Sequence, residues 1–207
     1  MNLNDYDYFL PEKNLALEPA VPRDSSKLFI YDTTVDKITF DSFYNLDKYL
    51  PEDSFMVMNN TKVLPARVTM KKKTGGKIVL LFLVNEIGDH RVKVLADRKI
   101  LVGEKVLFDT STSLSMNHLT VVGQNENIFE LEFNFSREHL FDLLRKYGAM
   151  PIPPYLKKST LTRDQLLKKY QTIFARAPSG ARLASAAAPT ASLHFTDQVF
   201  DNLDRKA

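Results

Sequence analysis

The sequence predicts a mixed α/β domain interrupted by an inserted small antiparallel β-barrel, and three observations predict it. At both ends of the chain, short apolar runs mix with helical patterns and prolines. From residue 67 to 147, short strands follow one another at even spacing, split by Gly, Asp and Asn turns. Helical periodicity then returns and continues to the last residues. The α/β domain is therefore expected in residues 1–66 and 148–207, and the barrel in residues 67–147.

The first third reads as short elements. Pro11–Ala16 suits a single helical turn with proline early in it. Lys27–Tyr31 and Ile38–Phe43 read as strands around the polar turn Thr33–Lys37. Leu46–Leu50 reads as a short helix stopped by Pro51. Phe55–Met58 is a compact apolar run, expected as a buried strand that ends at Asn59-Asn60-Thr61.

In the middle third, Arg67–Lys73 and Lys77–Asn85 flank Thr74-Gly75-Gly76, a strong hairpin signal. Arg91–Leu95, Lys105–Phe108, Leu119–Val122 and Ile128–Phe133 supply further strands. Gly88-Asp89, Gly103 and Gly123 fall where turns are required. Ser136 then caps a helix carrying Leu140, Phe141, Leu143 and Leu144, which Gly148 ends. Pro151, Pro153 and Pro154 force an extended path. Thr162 and Gln165 form a capping box for a helix through Tyr170, and a last helix starts at Thr196 with Val199, Phe200 and Leu203 on one side.

Composition narrows the function classes. The chain has 207 residues, no cysteine and a net charge of +3. A disulfide framework, a thiolate zinc site and a cysteine nucleophile are excluded. The absence of cysteine fits a reducing cytoplasm. The acidic, polar start is not expected to be a signal peptide, and no apolar run is long enough to cross a bilayer. No Walker loop, G-x-G-x-x-G or H-E-x-x-H occurs. Charge is unevenly spread: residues 1–66 hold 6 Lys/Arg against 11 Asp/Glu, whereas residues 145–182 hold 9 Lys/Arg against Asp164 alone. Such asymmetry suits a polyanion on one side, and equally suits a solvated basic face.

Four stretches carry a resemblance to a known family. They are Glu18-Pro19 with Pro22–Leu28; Asn59–Arg67; Met150–Lys157 with Tyr170–Ala175; and Ala187–Thr196. In order and spacing they resemble the S-adenosylmethionine:tRNA ribosyltransferase-isomerases of queuosine biosynthesis, along the whole chain. The resemblance implies an α/β domain with an inserted barrel, in agreement with the pattern. It also implies transfer and isomerisation of the ribosyl group of S-adenosylmethionine onto 7-aminomethyl-7-deazaguanine at the tRNA wobble position. The product would be epoxyqueuosine-tRNA. S-adenosylmethionine is then the ribosyl-donor substrate, tRNA with a queuine-type anticodon the partner, and no metal or membrane is needed. Three departures stand out: Ser192 replaces a usual glycine, Pro178–Ser185 is a longer link, and family chains continue well beyond Ala207. The resemblance is to the N-terminal part only, and a separately encoded C-terminal half is a further expected partner.

That chemistry needs acid–base groups, stacking surfaces and anion contacts. His194 titrates near neutral pH and lies in the segment the resemblance makes the active site. The plain alternative is a structural histidine between Leu193 and Phe195. The resemblance pairs it with Thr190 as catalytic, and gives Pro189, Ser192 and Phe195 to the substrate site. The small-residue turn there offers backbone amides to an anion, or is only a helix entry. Asn59, Asn60, Thr61, Lys62 and Arg67 follow the expected buried strand, where α/β sheets often bind ligands. Asn59-Asn60 is equally good turn chemistry. Arg23 and Asp24 are expected as a local ion pair shaping a loop. Tyr155, Lys157 and Lys158, with Tyr170 and Gln171, combine aromatics and cations suited to tRNA. Lys71–Lys73 reads as a solvated strand tip, or a contact to a tRNA stem. His90, His118 and His139 are given no role. Three alternatives to a self-sufficient enzyme remain: a non-catalytic tRNA-binding module, a half-enzyme that needs a separately encoded partner, and an inert remnant.

Overall fold

The computed structural model describes residues 2–108, 117–153, 156, 159–176 and 184–206. Strands β1 (Lys27–Asp32) and β2 (Lys37–Ser42) form an antiparallel hairpin in register Phe29↔Phe40. A 3-10 segment, Phe43–Tyr49, follows it, kinked at Asn45 and ended before Pro51. The single turn expected at Pro11–Ala16 is a 3-10 turn over Glu12–Asn14.

Phe55–Met58 is not a buried strand. Phe55 and Val57 are 87% and 90% exposed, and among the described residues no strand pairs with this run. Pairing resumes after this run with the Thr61–Arg176 bridge and β3 (Lys62–Val63), which lies parallel to the distant β10 (Ala184–Ser185). An apolar run without a partner strand leaves its backbone groups to solvent, and here only Met58 packs inward.

The barrel is closed and antiparallel, in the order β4-β5-β6-β9-β8-β7. Its strands are β4 (Arg67–Lys72), β5 (Lys77–Ile87), β6 (Arg91–Ala96), β7 (Lys105–Phe108), β8 (His118–Asn125) and β9 (Ile128–Glu132). Period-2 alternation sends Val68, Met70, Ile78, Leu80, Phe82 and Val84 inward, all fully buried. The β8 register shifts between Val121 and Gly123, so Gly123 serves a bulge rather than a turn. Helix α1 (Arg137–Tyr147) packs Leu140, Phe141, Leu143 and Leu144 into the same core. Ser136 caps it, its Oγ accepting from the His139 amide at 3.2 Å.

At its far end α1 meets the rest of the molecule through Gly148. A Cβ there would lie 1.7 Å from the Pro65 carbonyl oxygen, so no other residue fits without moving backbone. Ala149 then exchanges both backbone hydrogen bonds with Arg67. Helix α2 (Arg163–Lys169) carries the expected Thr162–Gln165 capping box, and α3 (Asp197–Asp204) is capped by Thr196. Two smaller cores complete the fold. One joins Val63, Met150, Leu156, Tyr170 and Leu193; the other joins Phe43, Phe195 and Val199. Among the described residues no helix is long and apolar enough to cross a membrane.

Candidate functional site

A cleft of about 200 Å³ opens beside the first of these small cores. Its walls include Glu18, Arg23, Leu156, Tyr170, Thr190 and His194, drawn from three separate parts of the chain. Each polar member is held by identifiable contacts.

His194 ends a 3-10 turn, Thr190–His194, that Pro189 opens by accepting the Ser192 amide at 2.9 Å. Its ring leans on Phe43, with centroids 5.3 Å apart. Burial pushes its pKa below the ordinary imidazole value; a hydrogen bond to the Arg23 backbone opposes this, and the Arg23 charge adds to it. The imidazole is therefore neutral at pH 7 and able to take a proton. Thr190 is exposed at the start of the same turn.

Arg23 does not pair with Asp24, as the sequence led us to expect. Its guanidinium donates to the carbonyls of Gln171 (2.6 Å), Lys169 (3.1 Å) and Lys168 (3.3 Å). These carbonyls lie in the last turn of α2 and just beyond it, where a cation is favoured. Buried Asp24 turns the other way and accepts from Thr196 Oγ1 at 2.8 Å, bracing the start of α3. Glu18 accepts from Thr160 Oγ1 at 3.0 Å and from Lys169 Nζ at 3.3 Å. Arg23 and Glu18 thus fasten one segment of the cleft wall to the end of α2. The sequence offered one signal for both, their place in the first motif stretch, but no role for Glu18.

The remaining candidates disperse. Tyr170 reaches the cleft but is only 4% exposed, packed with Val63, Met150 and Leu193. The Gln171 side-chain amide is committed to backbone: Nε2 donates to the Val63 carbonyl at 2.7 Å, and Oε1 accepts from the Val63 amide at 2.9 Å. Phe195 is buried among Phe43, Phe174 and Phe200. Asn59 forms a local turn, its Oδ1 accepting from the Thr61 amide (2.9 Å) and Oγ1 (2.6 Å). The Asn60 carbonyl accepts from the Arg176 amide, and Lys62 is exposed on β3. Arg67, Pro189 and Ser192 also lie outside the cleft lining. Tyr155, Lys157 and Lys158, and most of the Pro178–Ser185 link, fall outside the described residues.

The basic segment at 145–182 is partly consumed internally. Arg163 donates to the Gly148 carbonyl at 2.8 Å and to the Arg145 carbonyl, and Lys169 pairs with Glu18. Among the described residues no group of three or more His, Cys, Asp or Glu is placed to hold a metal ion.

Comparison with known proteins covers almost the full length of the chain. The family of queuosine biosynthesis proteins matches residues 3–207. An S-adenosylmethionine:tRNA ribosyltransferase-isomerase of Sulfurimonas denitrificans is 35% identical over 98% of this chain and 57% of its own length. Another, from Thermosipho melanesiensis, is 36% identical over 100% of this chain and 57% of its own. A solved S-adenosylmethionine tRNA ribosyltransferase from Thermotoga maritima is 21% identical, covering 98% of this chain and 54% of that one, at a TM-score of 0.35. The chain thus spans less than three fifths of the length of the curated relatives it matches, 57% in each of these two. With its matched region running almost from end to end, the chain belongs to the queuosine biosynthesis protein family.

Proposed function

We propose that this chain contributes the S-adenosylmethionine site of a tRNA ribosyltransferase-isomerase, acting in the cytoplasm to give epoxyqueuosine-tRNA. The observation that carries this reading is the cleft that gathers His194, Thr190, Arg23 and Glu18 beside an apolar wall. It fits the names of the relatives, which are ribosyltransferase-isomerases.

In this reading the ribosyl group of the sulfonium substrate is transferred to the aminomethyl base and rearranges, while adenine and methionine leave. A proton must be taken from the ribose side and one delivered to the leaving adenine. Neutral His194, half-buried against Phe43, is suited to accept the first. Thr190 Oγ1 at the mouth can orient either partner. Arg23 and Glu18 act as positioning residues, because their charges are already engaged by Lys168 and Lys169 of α2. Residues 1–66 and 148–207 would form the catalytic body and 67–147 the insert. Asn59, Asn60, Thr61, Lys62 and Arg67, with Pro189, Ser192 and Phe195, would complete the substrate surroundings. Tyr155, Lys157 and Lys158 remain the proposed tRNA contacts, beside the structural Tyr170 and Gln171.

The test is adenine release from S-adenosylmethionine with tRNA carrying the aminomethyl-deazaguanine. Release by this chain supports the reading. A second reading, a half-enzyme completed by the part of the relatives that this chain does not match, is favoured by one observation. Phe29, Tyr31, Ile38 and Phe40 lie on one face of the β1–β2 hairpin and are 50–70% exposed. Release only after that part is supplied would select it.

A further inference from the structure

The far end of the barrel gathers cations that the proposed chemistry does not use. The β4–β5 turn carries Lys73 and leads into Lys77 at the start of β5, the β6–β7 connection carries Lys99, and β7 begins at Lys105. The fold brings these three segments together. Lys72 pairs with Val106 in the ladder, so Lys73 and Lys105 come next to each other in register. The Lys72 Nζ donates to the Lys99 carbonyl at 3.1 Å and pairs with Glu104 at 3.2 Å, tying the connection to the turn. Lys71 and Lys77 are directly opposite across the hairpin.

The balance of charge at this end is positive. Lys72 occupies Glu104, and Asp97 is occupied by the Val79 amide and Arg98. Among the described residues Lys73, Lys77, Lys99 and Lys105 have no ion pair. Lys73, Lys77 and Lys99 are exposed. Lys73 and Lys105, side by side in the sheet, repel each other, at a cost a bound polyanion would remove. Leu101 and Val102, 62% and 63% exposed beside them, suit the sugar edges of a wide, shallow RNA groove.

We propose that this barrel end binds the phosphate backbone of a double-stranded stem of tRNA. The inference rests on the reading of the protein as a tRNA-modifying enzyme. Geometry sets the form of the ligand. β4 runs from the Arg67–Ala149 junction to Lys72, so the lysines lie about 17 Å from that junction along the strand. That span is longer than a single nucleotide and suits a continuous stem. The contact is sequence-independent and positions the RNA, leaving recognition of the base to the cleft.

The experiment measures the Kd of the chain for unmodified full-length tRNA across a salt series. It compares the parent with a variant carrying Lys73→Ser, Lys77→Ser, Lys99→Ser and Lys105→Ser. A control variant loses the same charge elsewhere, through Lys13→Ser, Lys27→Ser, Lys37→Ser and Lys48→Ser. Circular dichroism and thermal melting confirm that all three fold. The barrel-end variant should bind at least about tenfold more weakly at low salt, with a salt slope shallower by about 2–4, and the control should match the parent. Equal loss in both variants, no loss in the barrel-end variant, or no binding by the parent would overturn the proposal. So would binding to phosphatidylcholine–phosphatidylserine vesicles in preference to tRNA. Failure of the enzymatic reading looks different: lysine-dependent tRNA binding would persist without adenine release. Adenine release with lysine-independent affinity would instead remove this proposal alone.

Discussion

His194 is kept uncharged by its surroundings, and this gives its proposed role a pH signature. Its pKa in the folded chain lies below the ordinary value of 6.5 because burial disfavours the imidazolium. As pH falls through 6.5 the unfolded chain binds the proton first, so the residue lowers stability on the acid side and is without effect above it. The base form is present at neutral pH, so the acid limb of turnover should lie below 6.5. His194→Ala should cut turnover by about 10²–10⁴-fold with little change in tRNA affinity, and should abolish that limb. Retention of full activity in a turnover assay would remove the residue from the chemistry. Gln171 has the opposite character. Both ends of its amide hold the Val63 backbone, so Gln171→Met should cost about 2 kcal/mol in denaturant unfolding while sparing RNA affinity. The sequence could not separate these two polar residues. Each lies in a family motif, and only the long-range partner, Phe43 for one and Val63 for the other, tells them apart. Arg23 shows the same limit: adjacency to Asp24 suggested a local pair, but its partners are more than a hundred residues away.

Elements whose signals are local were legible. The Thr162–Gln165 capping box, the Ser136 cap and the Thr74–Gly76 turn are each set by neighbouring residues, and each stands where it was expected. Phe55–Met58 failed because apolar composition cannot report whether a partner strand exists. Gly148 combines both lessons. The sequence marks it as a helix end, while its necessity comes from Pro65, far away in the chain. Gly148→Ala should destabilise by about 2–4 kcal/mol, because backbone must shift to clear oxygens 1.7 and 2.4 Å from the new Cβ. An unchanged melting curve would show that the junction between α1 and β4 yields more easily than its geometry implies.

At the scale of the molecule, the barrel and the mixed α/β surroundings were readable because alternation repeats over many strands. The candidate site was only half readable. His194, Thr190 and Tyr170 were named from sequence, yet their convergence with Glu18 and Arg23 depends on α2 and the 3-10 turn packing around one small core. The exposed aromatic face of the β1–β2 hairpin had no sequence signal, since the same alternation would describe a covered sheet. In the proposed function the cleft, rather than the barrel, receives the sulfonium substrate. With 4 histidines in the chain, ring signals can be followed one by one by NMR during titration with S-adenosylmethionine. The His194 signals should move and saturate, while those of His90, His118 and His139 stay in place. Movement confined to His90 and His118, which line a separate pocket on the barrel, or no movement of His194 at saturation, would contradict it.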